Sequence, residues 1–130
     1  GASLTELGRA IAVTVAAATA SNQEAAALAA QLEAVWHRLL GVTTSITGYA
    51  DREVSMANSV LYLEAVGHLV LAWIWLEQFV AAGERNGDFY EGKRQAARYF
   101  FSYELPRTGP QLDLLDKLDR TPVDMRSEWF

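Results

Sequence analysis

Two Glu-x-x-x-His pairs could carry chemistry in this sequence, Glu33 with His37 and Glu64 with His68. Four-residue spacing places both members of a pair on one side of a helix, where a carboxylate and an imidazole can ligate a metal ion. The helical wheel separates the two pairs, because Glu33 and His37 lie opposite the apolar stripe of their helix, whereas Glu64 and His68 lie within theirs. We therefore expect no metal site, and we interpret Glu64 and His68 as a buried hydrogen-bonded pair.

Two arginines one helical turn apart, Arg94 and Arg98, are the second arrangement that could bind a ligand. A phosphate group is one target for them, but a solvated face that pairs with Glu91 is the favoured interpretation. The glycines match no phosphate-binding loop, and there is no nucleophile-elbow sequence around a serine. The four Trp and five Tyr residues are expected mainly in the core. The residues themselves therefore do not support catalysis.

The composition is that of one folded domain spanning residues 1–130. The chain is 51% hydrophobic and 21% charged, has a net charge of -5 and contains no Cys. These values exclude disorder, disulfides and thiolate sites, and they argue against duplex nucleic acid and anionic membranes as partners. The longest apolar run, Leu69–Leu76, is far shorter than the roughly 20 residues that cross a bilayer. We expect a soluble cytoplasmic protein, and the start at Gly1 instead of Met leads us to expect a piece of a longer one.

Apolar residues at helical spacing predict helices along most of the chain, without strand-like alternation. The first helix is expected at Leu4–Ala20, and the second between a Ser21 N-cap and a stop at Gly41. Residues 42–50 are rich in Thr, Ser and Gly and are predicted to form a loop. A third helix is expected at Asp51–Ala82, about 48 Å long at 1.5 Å per residue.

The fourth helix is predicted to begin at an Asp88 cap, with Glu91 completing a capping box and with a stripe through Phe89, Ala96, Phe100 and Tyr103. Pro106 must end or kink this helix, and Pro110 is suited to start another short one. A last turn is expected at Thr121–Pro122. The prediction is an all-α fold, an up-down four-helix bundle with a kinked fourth helix and a short helical C-terminal tail.

The third helix carries more apolar surface than a four-helix bundle hides. Val70, Trp73 and Ile74 point well away from its main apolar stripe, so that the helix is apolar on several sides and requires additional cover. Either the C-terminal tail or a partner could provide that cover. Our hypothesis is that Val70, Trp73 and Ile74 form an interface.

The last third of the chain resembles the C-terminal domain of bacterial acyl-CoA dehydrogenases, in the subgroup of 3-methylmercaptopropionyl-CoA dehydrogenases. The resemblance is specific after Phe89 and weaker before Asp51. It rests on the segments GDFYEGK (87–93), AARYFF (96–101), ELPR (104–107), LDLL (112–115), MR (125–126) and EWF (128–130), and on ANSVLYL (57–63) upstream.

This resemblance implies that the chain is a structural and assembly domain of a FAD-dependent oxidoreductase, which oxidises the α–β bond of acyl-CoA thioesters in fatty acid metabolism. The catalytic Glu, the flavin contacts and the acyl pocket would belong to a preceding dehydrogenase body. No catalytic, cofactor-binding or metal-binding residue is therefore assigned here, and FAD is expected only in the parent enzyme. The implied partners are the dehydrogenase body, another subunit of a homo-oligomer, or both. The alternative is a free-standing helical module that binds a small apolar ligand or a partner helix, with a metal-dependent bundle enzyme as a distant third.

Overall fold

The computed structural model describes residues 2–47 and 52–117, and the side chains of residues 4–43 and 59–117. This part of the chain is all α, with no strand, which confirms the predicted fold class. A π-helical turn at Phe100–Glu104 and a 3₁₀ turn at Leu105–Arg107 join the last two helices. The five α-helices are α1 (Ala2–Ser21), α2 (Gln23–Thr47), α3 (Arg52–Ala82), α4 (Asp88–Tyr99) and α5 (Thr108–Asp116).

The junction between α1 and α2 is a single residue, Asn22. Its side-chain Oδ1 accepts a hydrogen bond from the backbone N–H of Ala25 at 2.8 Å, so Asn22 is the N-cap of α2. The predicted cap, Ser21, is instead the last residue of α1. Both residue types are good caps, and the cap position shifts by one because α1 continues for one residue more than its apolar pattern indicates.

The predicted stop of α2 at Gly41 is wrong, since the helix continues to Thr47. Val42 is fully buried, which stabilises the additional turn through tertiary packing. The Thr43 hydroxyl contacts the Leu39 carbonyl and the Tyr62 hydroxyl of α3, both at 2.8 Å. Residues 42–47 are therefore helical instead of a loop, and residues 48–50 lie outside the described part.

Helix α3 is the central element, and it contacts α1, α2, α4 and α5. It ends as predicted at Gly83, whose φ of +51° is the left-handed conformation that favours glycine. The Gly83 N–H donates to the Phe79 carbonyl at 3.1 Å. The buried side of α3 is formed by Ala65, Leu69, Ala72, Leu76, Phe79 and Ala82.

The start of α4 differs from the predicted capping box. Gly87 is the N-cap, with a φ of 112° and no side-chain cap bond, and Asp88 is the first helical residue. Glu91 does not reach back to the cap, because its carboxylate bonds the Arg94 guanidinium at 2.9 and 3.2 Å. The predicted stripe is also only partly buried, since Phe89 and Tyr103 are exposed.

The kink after α4 confirms the effect expected of Pro106. Proline lacks an N–H and its ring disfavours the preceding helical turn, and here the backbone changes from α to π and then to 3₁₀ geometry around it. The Thr108 hydroxyl closes the 3₁₀ turn by donating to the Leu105 carbonyl at 2.7 Å. The short helix α5 begins at Thr108, two residues before Pro110. The predicted turn at Thr121–Pro122 lies outside the described residues.

Candidate functional site

One side of α3 is not covered by the other described helices. Its residues recur at three- and four-residue spacing, so they lie along one line of the helix surface. None of them carries a charge, and the exposed side chains of Glu64 and Glu77 border them on either side. We call this surface the outer face of α3, and it consists of Val60, Leu63, Gly67, Val70, Leu71, Ile74, Gln78 and Ala81.

The outer face exposes four large aliphatic side chains. Val60 and Leu63 are 60% and 65% exposed, and Leu71 and Ile74 are 48% and 41% exposed. Burial of apolar surface is favourable by about 25 cal/mol per Å², so covering these four side chains with another apolar surface would be favourable. Contiguous apolar patches of this kind mark interaction sites on soluble proteins.

Two of the three residues in the interface hypothesis lie on the outer face. Ile74 is exposed and Val70 is half-buried. Trp73 lies instead on the side of α3 that faces α1, half-buried, and its indole Nε1 donates to the Thr14 hydroxyl at 2.8 Å. Leu63 and Leu71 also lie on this face. The hypothesis did not include them, although they follow the same three- and four-residue spacing between Val60 and Ile74.

An open groove between α1 and α3 adjoins the outer face at Ala81. Its volume is about 480 Å³, and its lining is mostly apolar. Val13 is the most exposed large apolar side chain of this groove, at 71%. The lining residues are Ala10, Val13, Thr14, Ala17, Trp73, Glu77, Val80 and Ala81.

The expected buried pair of Glu64 and His68 is wrong, because the two side chains do not bond each other. The Glu64 side chain is exposed and accepts a hydrogen bond from Gln111 Nε2 at 2.9 Å. His68 Nδ1 contacts the Glu64 backbone carbonyl at 2.9 Å, and Nε2 lies 3.7 Å from a Glu104 carboxylate oxygen. The cause is the position of α5 and of the π-helical turn, which bring other polar partners to this edge of α3.

The arginines Arg94 and Arg98 hold helix ends together. Arg94 Nη1 donates to the carbonyls of Gly83 and Arg85 at 3.0 and 2.9 Å, beyond the C-terminus of α3. Arg98 forms a two-bond ion pair with Glu24 in the first turn of α2, at 2.8 and 3.0 Å. Since Glu91 binds both guanidinium groups as well, their donors are engaged within the chain.

The same contacts determine the electrostatics of this corner. The hydrogen bond from Arg98 lowers the pKa of Glu24 below its usual value of 4.5, and the hydrogen bond from Arg94 lowers the pKa of Glu91 in the same direction. A cavity of about 470 Å³ lies beside them, but its two arginines are already paired. The interpretation of Arg94 and Arg98 as paired residues therefore fits the geometry better than a phosphate site.

The Glu-x-x-x-His pairs do not assemble into a metal centre in the described part of the chain. No three His, Asp or Glu side chains there converge in a way that could hold a metal ion. Glu33 and His37 are exposed on α2, as the helical wheel predicts.

The segment Ser59–Ala82 of α3 is long and apolar enough to cross a membrane, judged by length and composition alone. The apolar run Leu69–Leu76 is therefore only part of a longer apolar segment. The opposite side of α3 packs against four helices of the same chain. This packing accounts for the apolar residues on the buried side of α3.

Comparison with known proteins adds one finding to this geometry. The family model described as "Acetyl-CoA dehydrogenase C-terminal like" matches residues 7–126, which is nearly the whole chain. Searches of curated proteins and of solved structures found no match.

Proposed function

The chain belongs to the acetyl-CoA dehydrogenase C-terminal-like family, and we propose from this membership that it is the assembly domain of a FAD-dependent acyl-CoA dehydrogenase. The observation that carries the assembly role is the uncharged outer face of α3, with four large aliphatic side chains between 41% and 65% exposed. An exposed face of this kind is stabilised when it is covered by another protein surface. The proposed cover is the dehydrogenase body or another subunit.

The chemistry is proposed for the parent enzyme and not for the residues described here. In the parent enzyme, FAD would accept a hydride during the oxidation of the α–β bond of an acyl-CoA thioester. The polar cavity beside Arg94 does not fit FAD, because Arg94 and Arg98 are engaged by Glu24 and Glu91 and leave no free guanidinium in that cavity for a pyrophosphate. We assign no catalytic or cofactor-binding residue in this chain, and we place the parent enzyme in cytoplasmic fatty acid metabolism.

The coding sequence upstream of Ser3 tests this proposal. We expect several hundred in-frame codons of a dehydrogenase body, and we expect the full protein to be purified with bound FAD whose absorbance is bleached by an acyl-CoA substrate. A gene that encodes only these residues would contradict the proposal, as would a full protein that neither binds FAD nor oxidises acyl-CoA.

The groove between α1 and α3 favours a second candidate function, the binding of a small apolar ligand. Its volume of about 480 Å³ lies within the usual range for small-molecule sites, and Trp73 lines it. Titration with a fatty acid or an apolar dye should then shift Trp fluorescence in a saturable manner. Val13→Glu should abolish the saturable shift, whereas Leu114→Glu, a change at an exposed site on α5, should preserve it. An unsaturable response, or one that both variants share, would exclude this candidate.

A further inference from the structure

We propose that Asn86 is a site of spontaneous covalent modification, where its side chain cyclises with the backbone of Gly87 to a succinimide that hydrolyses to aspartate and isoaspartate. The two residues lie in the segment 83–87, which joins α3 to α4. The inference is independent of the proposed function, because it concerns neither the outer face of α3 nor a flavoenzyme parent. It rests on the residue that follows Asn86, on the hydrogen bonding of this segment, and on the contrast with the other asparagines.

The reaction consumes only water and releases ammonia. The backbone nitrogen of Gly87 attacks Cγ of Asn86, and the Cγ–Nδ2 bond breaks so that Nδ2 leaves as ammonia with the Gly87 amide proton. Water then opens the succinimide. Cleavage between the ring nitrogen and Cγ gives aspartate, whereas cleavage between the ring nitrogen and the backbone carbonyl carbon of Asn86 gives isoaspartate, whose chain continues through Cβ and Cγ. The reacting atoms belong to adjacent residues, so the attack is intramolecular.

Gly87 hinders this attack less than any other residue type. A side chain at that position would place a Cβ atom next to the attacking nitrogen, and glycine has none. Gly87 is exposed, is the N-cap of α4 and has a φ of 112°, a backbone conformation that favours glycine. The fold thus favours glycine here for its backbone conformation, and the same residue leaves the amide nitrogen unhindered.

Neither reacting group is held by a hydrogen bond within the described part of the chain. Arg94 Nη1 holds the first part of the segment through the carbonyls of Gly83 and Arg85, at 3.0 and 2.9 Å. The side chain of Asn86 is exposed and bonds no described residue, and the Gly87 N–H donates to none of them. Asn86 can therefore rotate toward the Gly87 nitrogen without the loss of a hydrogen bond.

The other two asparagines of the chain, Asn22 and Asn58, lack this combination. The Asn22 side chain is held as the N-cap of α2 by the bond from the Ala25 N–H at 2.8 Å, and the residue after it, Gln23, has a side chain. Asn58 lies within α3, where the next backbone N–H takes part in the helical hydrogen bonds. Of the three, Asn86 alone precedes a glycine outside a helix.

Both products change the corner between α3 and α4. Asn86 lines the polar cavity together with Arg94, so the new carboxylate adds one negative charge there to a chain whose net charge is -5. Isoaspartate also inserts a methylene group into the backbone of a segment whose first part Arg94 holds in place. Modification therefore produces a more acidic chain of unchanged length, which ion-exchange chromatography separates from the original.

Peptide mapping by mass spectrometry tests the proposal on the 130-residue chain after prolonged incubation in mildly alkaline buffer. Asn86 should convert to aspartate and isoaspartate, and Asn22 should remain unmodified in the same sample. Asn86→Gln is the matched control, because it keeps the amide but closes a larger ring far more slowly, and it should stay unmodified. A methyltransferase specific for isoaspartyl carboxylates should label the incubated unchanged chain and not the incubated Asn86→Gln chain.

The same incubation in denaturant makes the result decisive, because it gives the rate at which this sequence reacts without the fold. We expect Asn86 in the folded chain to react within about tenfold of that rate, since no hydrogen bond must first be broken. A folded chain in which Asn86 stays intact, or reacts more than about tenfold more slowly than in denaturant, would overturn the proposal. Products that form at Asn22 as fast as at Asn86 in the folded chain would overturn it as well.

Discussion

The indole Nε1 of Trp73 donates a hydrogen bond to the Thr14 hydroxyl at 2.8 Å and thereby joins α3 to α1. Thr14 is 8% exposed and its own hydroxyl is 3.2 Å from the Ala10 carbonyl, so a short polar chain crosses an otherwise apolar contact. Trp73 lies on the α1 side of α3 because one residue along the helix rotates it by about 100° from Ile74, and this bond holds its indole there. Helix α3 therefore has one side that packs on α1 and another, the outer face, that the described helices leave exposed.

Removal of the Thr14 hydroxyl should destabilise the fold. Thr14→Val keeps the shape of the side chain but leaves the indole N–H of Trp73 without its partner, at a cost of about 1–2 kcal/mol. Thr19→Val is the matched control, because the Thr19 hydroxyl bonds only its own helix, at an exposed position, and its loss should change stability by less than about 0.5 kcal/mol. Chemical denaturation followed by Trp fluorescence measures both. Equal effects of the two substitutions would contradict the structural importance of the Trp73 bond.

The two helical glycines Gly8 and Gly41 should respond oppositely to alanine. A Cβ atom on Gly8 would lie 2.9 Å from Cζ2 of the buried Trp36 ring, so Gly8→Ala should destabilise the chain by about 1–3 kcal/mol. Gly41 has no neighbour within 4 Å of the same position, so Gly41→Ala should stabilise α2 by about 0.5–1 kcal/mol. Thermal melts of the two variants should shift in opposite directions. A stabilising effect at Gly8 would contradict the packing of α1 against Trp36.

The ion pair between Glu24 and Arg98 should make the free energy of unfolding depend on pH. Because the hydrogen bond from Arg98 lowers the pKa of folded Glu24 below 4.5, the pair stabilises the fold at pH values above 4.5 and loses its contribution as the pH falls through the lowered value. Both side chains are partly exposed, so the contribution should remain below about 1 kcal/mol. Glu24→Gln should therefore be less stable than the unchanged chain at pH 7 and equally stable near pH 2. A difference that persists at low pH would contradict this assignment.

Much of the fold follows from local patterns in the sequence. The apolar spacing predicts the helices, Gly83 predicts the end of α3, and Pro106 predicts the kink after α4. These features depend on backbone preferences that act within one turn of the chain. Membership of an acyl-CoA dehydrogenase C-terminal family was likewise recognisable from segments after Phe89, and the match to residues 7–126 confirms it. The particular subgroup remains a prediction.

The predictions from sequence are wrong where contacts between helices determine the local structure. Gly41 does not stop α2, because Val42 is buried and Thr43 bonds Tyr62 of α3. The side chain of Glu64 bonds Gln111, which only the return of α5 brings within reach. Likewise, the pattern of α3 alone shows that it is apolar on several sides but does not reveal which side α1 covers.

Substitutions on the outer face of α3 should change assembly without unfolding the chain. Ile74 is 41% exposed, so Ile74→Glu should keep the helical circular dichroism signal and shift the melting temperature by only a few degrees. Trp73→Glu, at a residue that the interface hypothesis included, should unfold more readily because it also removes the bond to Thr14. If the two variants melt at the same temperature, the separation of the two surfaces is wrong.

Sedimentation velocity of the complete parent enzyme tests the central claim most directly. The comparison is between the unchanged enzyme and its Ile74→Glu variant, each with its FAD content and acyl-CoA oxidation measured in parallel. The account predicts that the variant dissociates into smaller species at concentrations where the unchanged enzyme remains assembled, and that it retains bound FAD. An Ile74→Glu enzyme with unchanged assembly would contradict the claim that the outer face of α3 is an assembly surface.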